Sequence, residues 1–330
     1  MLFRTTYAME RTKEEILIFG SSRANHHYHS AVLSAHLKQS VYNVGRDGHF
    51  ILYNLAVLQS NLKRYTPSTI LLDISRDEFA VNNADYDRLA SLLPYYDDHP
   101  EIRNVVHLKG HFEKFRLLSK IYPYNSQLLT IAVGNMERNR FRDLNRDVQG
   151  YVPLHKKVDG SISIANHFVK RDIDSIKIRA YISFIKLCQE RNISIVVVVS
   201  PYLAVGGKRD TSITIAKTLA SYYNIPFLDF SNDHYFQENA RLFADHVHLN
   251  DAGARVFSKM IAQVVTRLQQ KKKINYSLSE VDLLIGDSTK AQTKLGWKPS
   301  TSLHQLVKEM MHQDLLHARS KQTATVDQYF

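Results

Sequence analysis

The stretch Glu15-Ile16-Leu17-Ile18-Phe19-Gly20-Ser21-Ser22-Arg23 decides the fold class. Apolar residues in unbroken succession, with nothing polar alternating among them, describe a strand covered on both faces. A glycine then turns the chain, and small hydroxyl residues follow, as where a strand hands over to a helix. The same pattern recurs downstream. Val41-Tyr42-Asn43-Val44, Thr69-Ile70-Leu71-Leu72-Asp73-Ile74, residues 193–200 and residues 225–230 read as four further buried strands. Helical spacing fills the intervals: Ile51, Leu55, Leu58 and Leu62 share one face of 50–64, and 173–192 and 212–223 behave alike. Residues 251–269 open on an N-cap aspartate, Asp251, and keep Val256, Met260, Val264 and Leu268 on one stripe. Strands and helices in this order predict a doubly wound parallel α/β sheet, whose sites lie at the carboxyl ends of the strands.

The remaining arithmetic agrees. The chain has 330 residues, 44% of them hydrophobic and 23% charged, a balance that excludes disorder, collagen and coiled coil for the whole. A single cysteine, Cys188, excludes an internal disulfide framework and a cysteine-cluster metal site. Its neighbours read as a helix face, which makes it a buried structural thiol. The longest apolar run, Ile195 to Val199, is far short of a membrane span. Residues 1–15 have no apolar core and are not a signal peptide, so the chain reads as cytoplasmic. The net charge of +11 is scattered, with one tight run at Lys271-Lys272-Lys273. It carries no nucleic-acid motif and is read as a solvated basic surface, with no nucleic-acid partner. Between the third and fourth strands, about 80–171 form a long insertion rich in tyrosine: Tyr86, Tyr95, Tyr96, Tyr122, Tyr124 and Tyr151. A structureless loop of that length is improbable, and a mainly helical cap beside the site is expected. Its aromatic rings either stack on a sugar or form the cap's own core.

Three features carry chemistry. Gly20-Ser21-Ser22-Arg23 can lift a serine hydroxyl out of the sheet's end, with a helix amino end aimed at the same spot; it can equally cap that helix. In Asp245-His246-Val247-His248-Leu249 the spacing lets a carboxylate hold one imidazole nitrogen while the other faces outward, which a serine nucleophile requires. The same residues also suit a capping aspartate beside a partly buried histidine. In Asn43-Val44-Gly45-Arg46-Asp47-Gly48, glycines either bring backbone amides to a ligand oxygen or form an ordinary turn. His26, His27 and His29 lack acidic companions at metal spacing, and Gly206-Gly207-Lys208 lacks the spacing of a phosphate loop. Asp85-Tyr86-Asp87 is a triplet that arises readily by chance. No metal or cofactor is expected.

Together Gly20-Ser21-Ser22, Gly48 and Asp245-His246-Val247-His248-Leu249-Asn250-Asp251-Ala252-Gly253 resemble the SGNH/GDSL hydrolase family over about 15–268. The resemblance implies a flavodoxin-like three-layer α/β/α sandwich with a five-stranded parallel sheet. It implies a serine esterase acting on acyl esters of a carbohydrate, O-acetyl esters first among them, or on another small ester. Ser22 is then the nucleophile, His248 the base and Asp245 its orienting partner. The amides of Ser22 and Gly48 supply part of an oxyanion hole. The family's third donor, an asparagine, falls on Asp77 in Ile74-Ser75-Arg76-Asp77-Glu78; an ionised aspartate cannot donate. Arg76, Asn82 or Asn83 are the substitutes at hand. Transfer of the acyl group to a sugar hydroxyl, and a decayed, glycan-binding site, are the alternative readings. Relatives often carry an envelope anchor, which keeps the periplasmic face open.

A second resemblance lies at the carboxyl end. Gly286-Asp287-Ser288-Thr289-Lys290-Ala291 and Leu295-Gly296-Trp297-Lys298-Pro299 are similar to the end of GDP-mannose 4,6-dehydratase, over about 274–318. That family's glycine fingerprint after the first strand and its Tyr-x-x-x-Lys pair are absent, so an appendage rather than a dehydratase is expected. A helix at Lys290 and an anchoring Trp297 fit an add-on. The expected domains are 1–270, hydrolase-like, and 271–330, the appendage, with Lys271 to Lys273 ending the last core helix.

Overall fold

The computed structural model describes residues 2–125, 148–158, 172–203 and 210–279, with positions 293, 294, 296 and 305 beyond them. The chain divides into two compact units, Met1–Gln270 and Lys271–Phe330.

The first unit is an α/β sandwich on a five-stranded sheet. The strands are β1 (Ile16–Phe19), β2 (Val41–Asn43), β3 (Thr69–Asp73), β4 (Ser194–Val199) and β5 (Phe227–Asp229). Their order is β2-β1-β3-β4-β5 and every pairing is parallel. This is the flavodoxin-like arrangement. Alternate residues of each strand feed two separate cores. Leu17, Phe19, Ile70, Leu72, Val197 and Val199 pack on one face with the helices Ile51–Arg64, Ser175–Glu190 and Thr211–Tyr222. Ile16, Ile18, Leu71, Val196 and Val198 pack on the other with Leu33, Phe257, Ile261 and Val265. Two covered faces explain why these strands read as continuous apolar runs. Cys188 is buried in the first core, where burial pushes its thiol well above the ordinary range.

The described part of the insertion, up to Asn125, is a chain of short helical turns from Asn83–Asp87 to Tyr122–Tyr124. Leu89, Leu92, Leu93, Ile102, Val105 and Val106 bury themselves in the same core as Ile51–Arg64. Tyr95 is buried, its hydroxyl 2.6 Å from Thr6 Oγ1, and Tyr151 is buried, donating to Asp251 at 2.9 Å. These two rings therefore belong to the packing, while Tyr124 is exposed.

One boundary differs from expectation. The last core helix runs Asp251–Ser279, through the three lysines rather than ending on them. No glycine or proline interrupts 271–279, so nothing there stops the helical backbone. Of the second unit's other described positions, Thr293, Lys294 and Gln305 are helical and Gly296 has φ 64°. The expected Lys290 helix, Trp297 anchor and terminal helix lie outside the described residues.

Candidate active site

Four connections meet at the carboxyl rim of the sheet: Gly20–Ser22 after β1, Val44–Gly48 after β2, Ile74–Glu78 after β3 and Ser200–Tyr202 after β4. Gly20 is held at φ 144°, and a Cβ there would come within 2.8 Å of Asp73 O and of Ala24 Cβ. The turn into the next helix thus requires glycine. That helix, Ser22–His27, starts on Ser22 itself, leaving the Ser22 N–H without an acceptor inside the helix. Asn43, buried at the end of β2, fastens the helix's other end: its Nδ2 donates to Ala24 O at 2.7 Å and Tyr28 O at 3.1 Å.

The residues singled out by sequence stand as follows. Ser22 Oγ lies 2.7 Å from His248 Nε2. His248 Nδ1 lies 2.8 Å from Asp245 Oδ2 and 3.0 Å from Oδ1. The backbone N–H groups of Val247 and His248 donate to Asp245 Oδ1, each at 2.8 Å. Burial pushes the Asp245 carboxyl upward, but the hydrogen bonds from His248 and these amides outweigh it and hold it at about 2. Asp245 is therefore a carboxylate across the whole working range. Its acceptor oxygens require a proton on His248 Nδ1, so in the neutral ring Nε2 is the acceptor facing the serine hydroxyl. Gly48 sits at φ 69°, a left-handed turn position, and a Cβ would meet the Arg88 guanidinium at 2.9 Å. Asp77 lies exposed on the turn after β3, and its charge helps raise the Asp210 carboxyl, chiefly lifted by burial, to about 6. Asn82 is committed elsewhere, its Oδ1 accepting from Ala84 N at 3.2 Å and its Nδ2 donating to Asp85 at 3.0 Å. Arg76 stacks over the Tyr202 ring at 3.8 Å.

Beneath this row lies a buried polar layer that sequence reasoning missed. Arg23, next to the serine, is 2% exposed. Its Nε is 3.6 Å from Asp73 Oδ1, one terminal nitrogen donates to Ser200 Oγ at 2.8 Å and to Ser200 O, and its plane lies 3.4 Å over Tyr202. Tyr28 donates to Asp73 Oδ2 at 2.6 Å. His27 is fully buried; its Nε2 accepts the Leu249 N–H at 3.0 Å, so Nδ1 carries the proton and donates to Ser200 Oγ at 2.9 Å. Burial, with Arg23 nearby, drives His27 well below the usual histidine range, so it stays neutral. His26, one helical turn after Ser22, donates from Nδ1 to Val152 O at 2.8 Å and faces Asp47 at 3.2 Å. His26 and His27 both set their rings edge-on to His248, at 5.6 and 6.3 Å. The triplet of histidines thus performs separate tasks: His29 accepts from Val32 N and stacks on Tyr151. The available signal was position alone, since Arg23, His26 and His27 share the serine's helix. Among the described residues no cluster of potential metal ligands forms, and no helix is long and apolar enough to cross a membrane.

The comparisons with known proteins divide along the chain. The GDP-mannose 4,6 dehydratase family model matches residues 232–310, a span that begins before the tail and takes in His248. Human GDP-mannose 4,6 dehydratase is 47% identical over 49 residues, 15% of this chain and 13% of that protein. The Sinorhizobium fredii (strain HH103) enzyme is 51% identical over 41 residues, 12% of each. The chain thus spans only a small part of the length of these curated relatives. Among solved structures it is similar to a Bacteroides fragilis NCTC 9343 protein described as an acylhydrolase, with TM-score 0.37 and 11% identity, covering 78% of this chain and 89% of that one. An acetyl xylan esterase gives TM-score 0.37 and 16% identity, covering 76% and 99%. Neither likeness carries an activity over to this chain.

Proposed function

We propose that the first unit is a serine ester hydrolase of the SGNH kind, acting on acyl esters, with an O-acetylated carbohydrate as the substrate class. The observation that carries this reading is the 2.7 Å approach of Ser22 Oγ to His248 Nε2, backed by the 2.8 Å contact to Asp245. A serine hydroxyl is a weak nucleophile until a positioned base takes its proton. In the reaction, the Ser22 proton moves to His248 Nε2 as Oγ bonds to the ester carbonyl carbon. The carbonyl oxygen becomes an oxyanion facing the amides of Ser22 and Gly48. The C–O bond to the alcohol then breaks, and the departing oxygen takes the proton from His248. Water, deprotonated by the same nitrogen, releases the acyl group and restores Ser22. Asp245 keeps its charge throughout and stabilises the transient imidazolium. Asp77 offers a carboxyl where the family has an amide, so the oxyanion relies on backbone donors; a missing donor typically lowers turnover about 10²–10³-fold.

Ser22→Ala should remove turnover of a small aryl acetate, and labelling by a fluorophosphonate, while the thermal midpoint stays in place. Retained turnover in the folded variant overturns the proposal.

A further inference from the structure

The segment from His111 to Asn125 has an uneven distribution of side chains. Phe112, Phe115, Leu118 and Ile121 are 68%, 70%, 80% and 65% exposed. They recur every three residues along the turns that include Glu113–Arg116. Elsewhere in the described chain large exposed apolar side chains stand singly, as at Val81, Tyr222 and Tyr235, which is ordinary for a surface. A row of four is not ordinary and marks a contact surface.

Charge on this segment is segregated too. Lys114, Arg116 and Lys120 are exposed between the apolar residues. The segment's one acid, Glu113, is 1% exposed and turned inward, accepting from the Tyr122 hydroxyl at 2.7 Å and pairing with Lys109 at 3.4 Å. Lys120 pairs with the exposed Asp97 at 2.7 Å, Arg116 keeps a loose 3.8 Å contact with Glu113, and Lys114 is exposed among the apolar residues. Leu117 is buried in the first core and pins the segment there, and Pro123 is buried too. Within the segment, the outward side is therefore apolar and cationic, with Lys120 alone matched by a neighbouring carboxylate, and the segment's own carboxylate is turned inward.

A second copy of this chain is a poor occupant. A two-fold contact would set the same face against itself and bring lysine and arginine together. A bilayer surface with anionic headgroups suits both components, taking the apolar side chains at the acyl boundary and the cations at the phosphates. We propose that the 112–121 face docks this chain on an anionic phospholipid surface, lying on it and not through it. This stands apart from the ester chemistry and does not rest on it.

The test is sedimentation of the full chain with vesicles of phosphatidylcholine alone and of phosphatidylcholine mixed with phosphatidylglycerol. Binding is expected to the mixed vesicles and to weaken as salt is raised. Phe115→Ser and Leu118→Ser should each weaken it about tenfold or more, and Lys114→Gln about fivefold, with thermal midpoints unchanged. Three results would overturn the proposal: no binding to mixed vesicles, binding that survives Phe115→Ser with Leu118→Ser, or a concentration-dependent rise in mass without vesicle binding. The second would assign the affinity to scattered basic charge, and the third to self-association.

Discussion

Two chains of polar groups cross near Ser22, and they differ in exposure. The upper one, Ser22–His248–Asp245, is reachable from solvent: the Asp245 side chain is 50% exposed and that of His248 23%. The lower one, Leu249–His27–Ser200–Arg23–Asp73–Tyr28, is buried throughout. Both contain a histidine between an acceptor and a donor. In the upper chain the charged and polar groups are open to water. In the lower chain burial fixes each state: His27 is driven neutral, and the Asp73 carboxyl is pushed up by burial while Arg23 and Tyr28 pull it down. The lesson is a division of labour: the groups that the proposed mechanism asks to move protons are held by groups whose burial fixes their state.

The largest effect expected from this contrast is on rate alone. Asp245→Asn keeps an oxygen for the Val247 and His248 amides, but its NH₂ group cannot accept from His248 Nδ1. On the logic of serine triads, aryl acetate turnover should fall about 10³–10⁴-fold with little change in thermal midpoint. A loss of stability in step with the loss of rate would make Asp245 a capping residue and erase the division.

The next largest effect is on stability alone. Asp73→Asn leaves the Arg23 guanidinium in a dry site without its counter-charge, which typically costs about 3–5 kcal/mol. A denaturant titration should record that loss, while the remaining folded molecules still label with a fluorophosphonate. A shift below about 1 kcal/mol would mean that Arg23 is satisfied by Ser200 and the Tyr202 ring alone.

The upper chain could be found by reading, and the lower one could not. Taken alone, Ser22, Asp245 and His248 each also suit a capping role; their order along the chain together with Gly20 and Gly48, and the family resemblance that this order carries, are what single them out. The strands were legible because double burial forces continuous apolar runs. Asp73 and Arg23 carry no such mark: a charged residue at a strand end or in a helix is exposed far more often than it is buried. Only the packing of β3, β4 and the 245–249 loop around them converts them into a buried pair. The last helix runs on to Ser279 because three lysines suit a helix terminus electrostatically without stopping the backbone.

His27→Phe joins the two chains, and its effect should be intermediate. The Leu249 N–H loses its buried acceptor, and Ser200 loses a donor, together about 2–4 kcal/mol. Because Leu249 follows His248 directly, kcat should also drop, about tenfold, with KM for the aryl acetate held. His27→Gln, which can accept and donate, should recover part of both. Full rate in the Phe variant would cut the lower chain from the upper.

The smallest effect separates burial from motif. His49, outside both chains, donates from Nδ1 to Asp47 O at 2.8 Å, and its Nε2 lies 3.0 Å from Ser91 Oγ. Burial, with Arg46 beside it, lowers it to about 4. Unfolded histidine titrates near 6.5, so between about 4 and 6.5 the unfolded chain binds the extra proton. The contribution of His49 to stability is therefore complete above 6.5 and is lost as pH falls toward 4. Asp245, held at about 2, keeps its charge across that window. The difference in thermal midpoint between wild type and His49→Asn should widen from pH 4 to 6.5 and then level, an effect of about 1–3 kcal/mol. A constant difference would mean that the His49 ring is solvated enough to titrate as it does in the unfolded chain, and that its place in the packing, not its protonation, is what the protein uses.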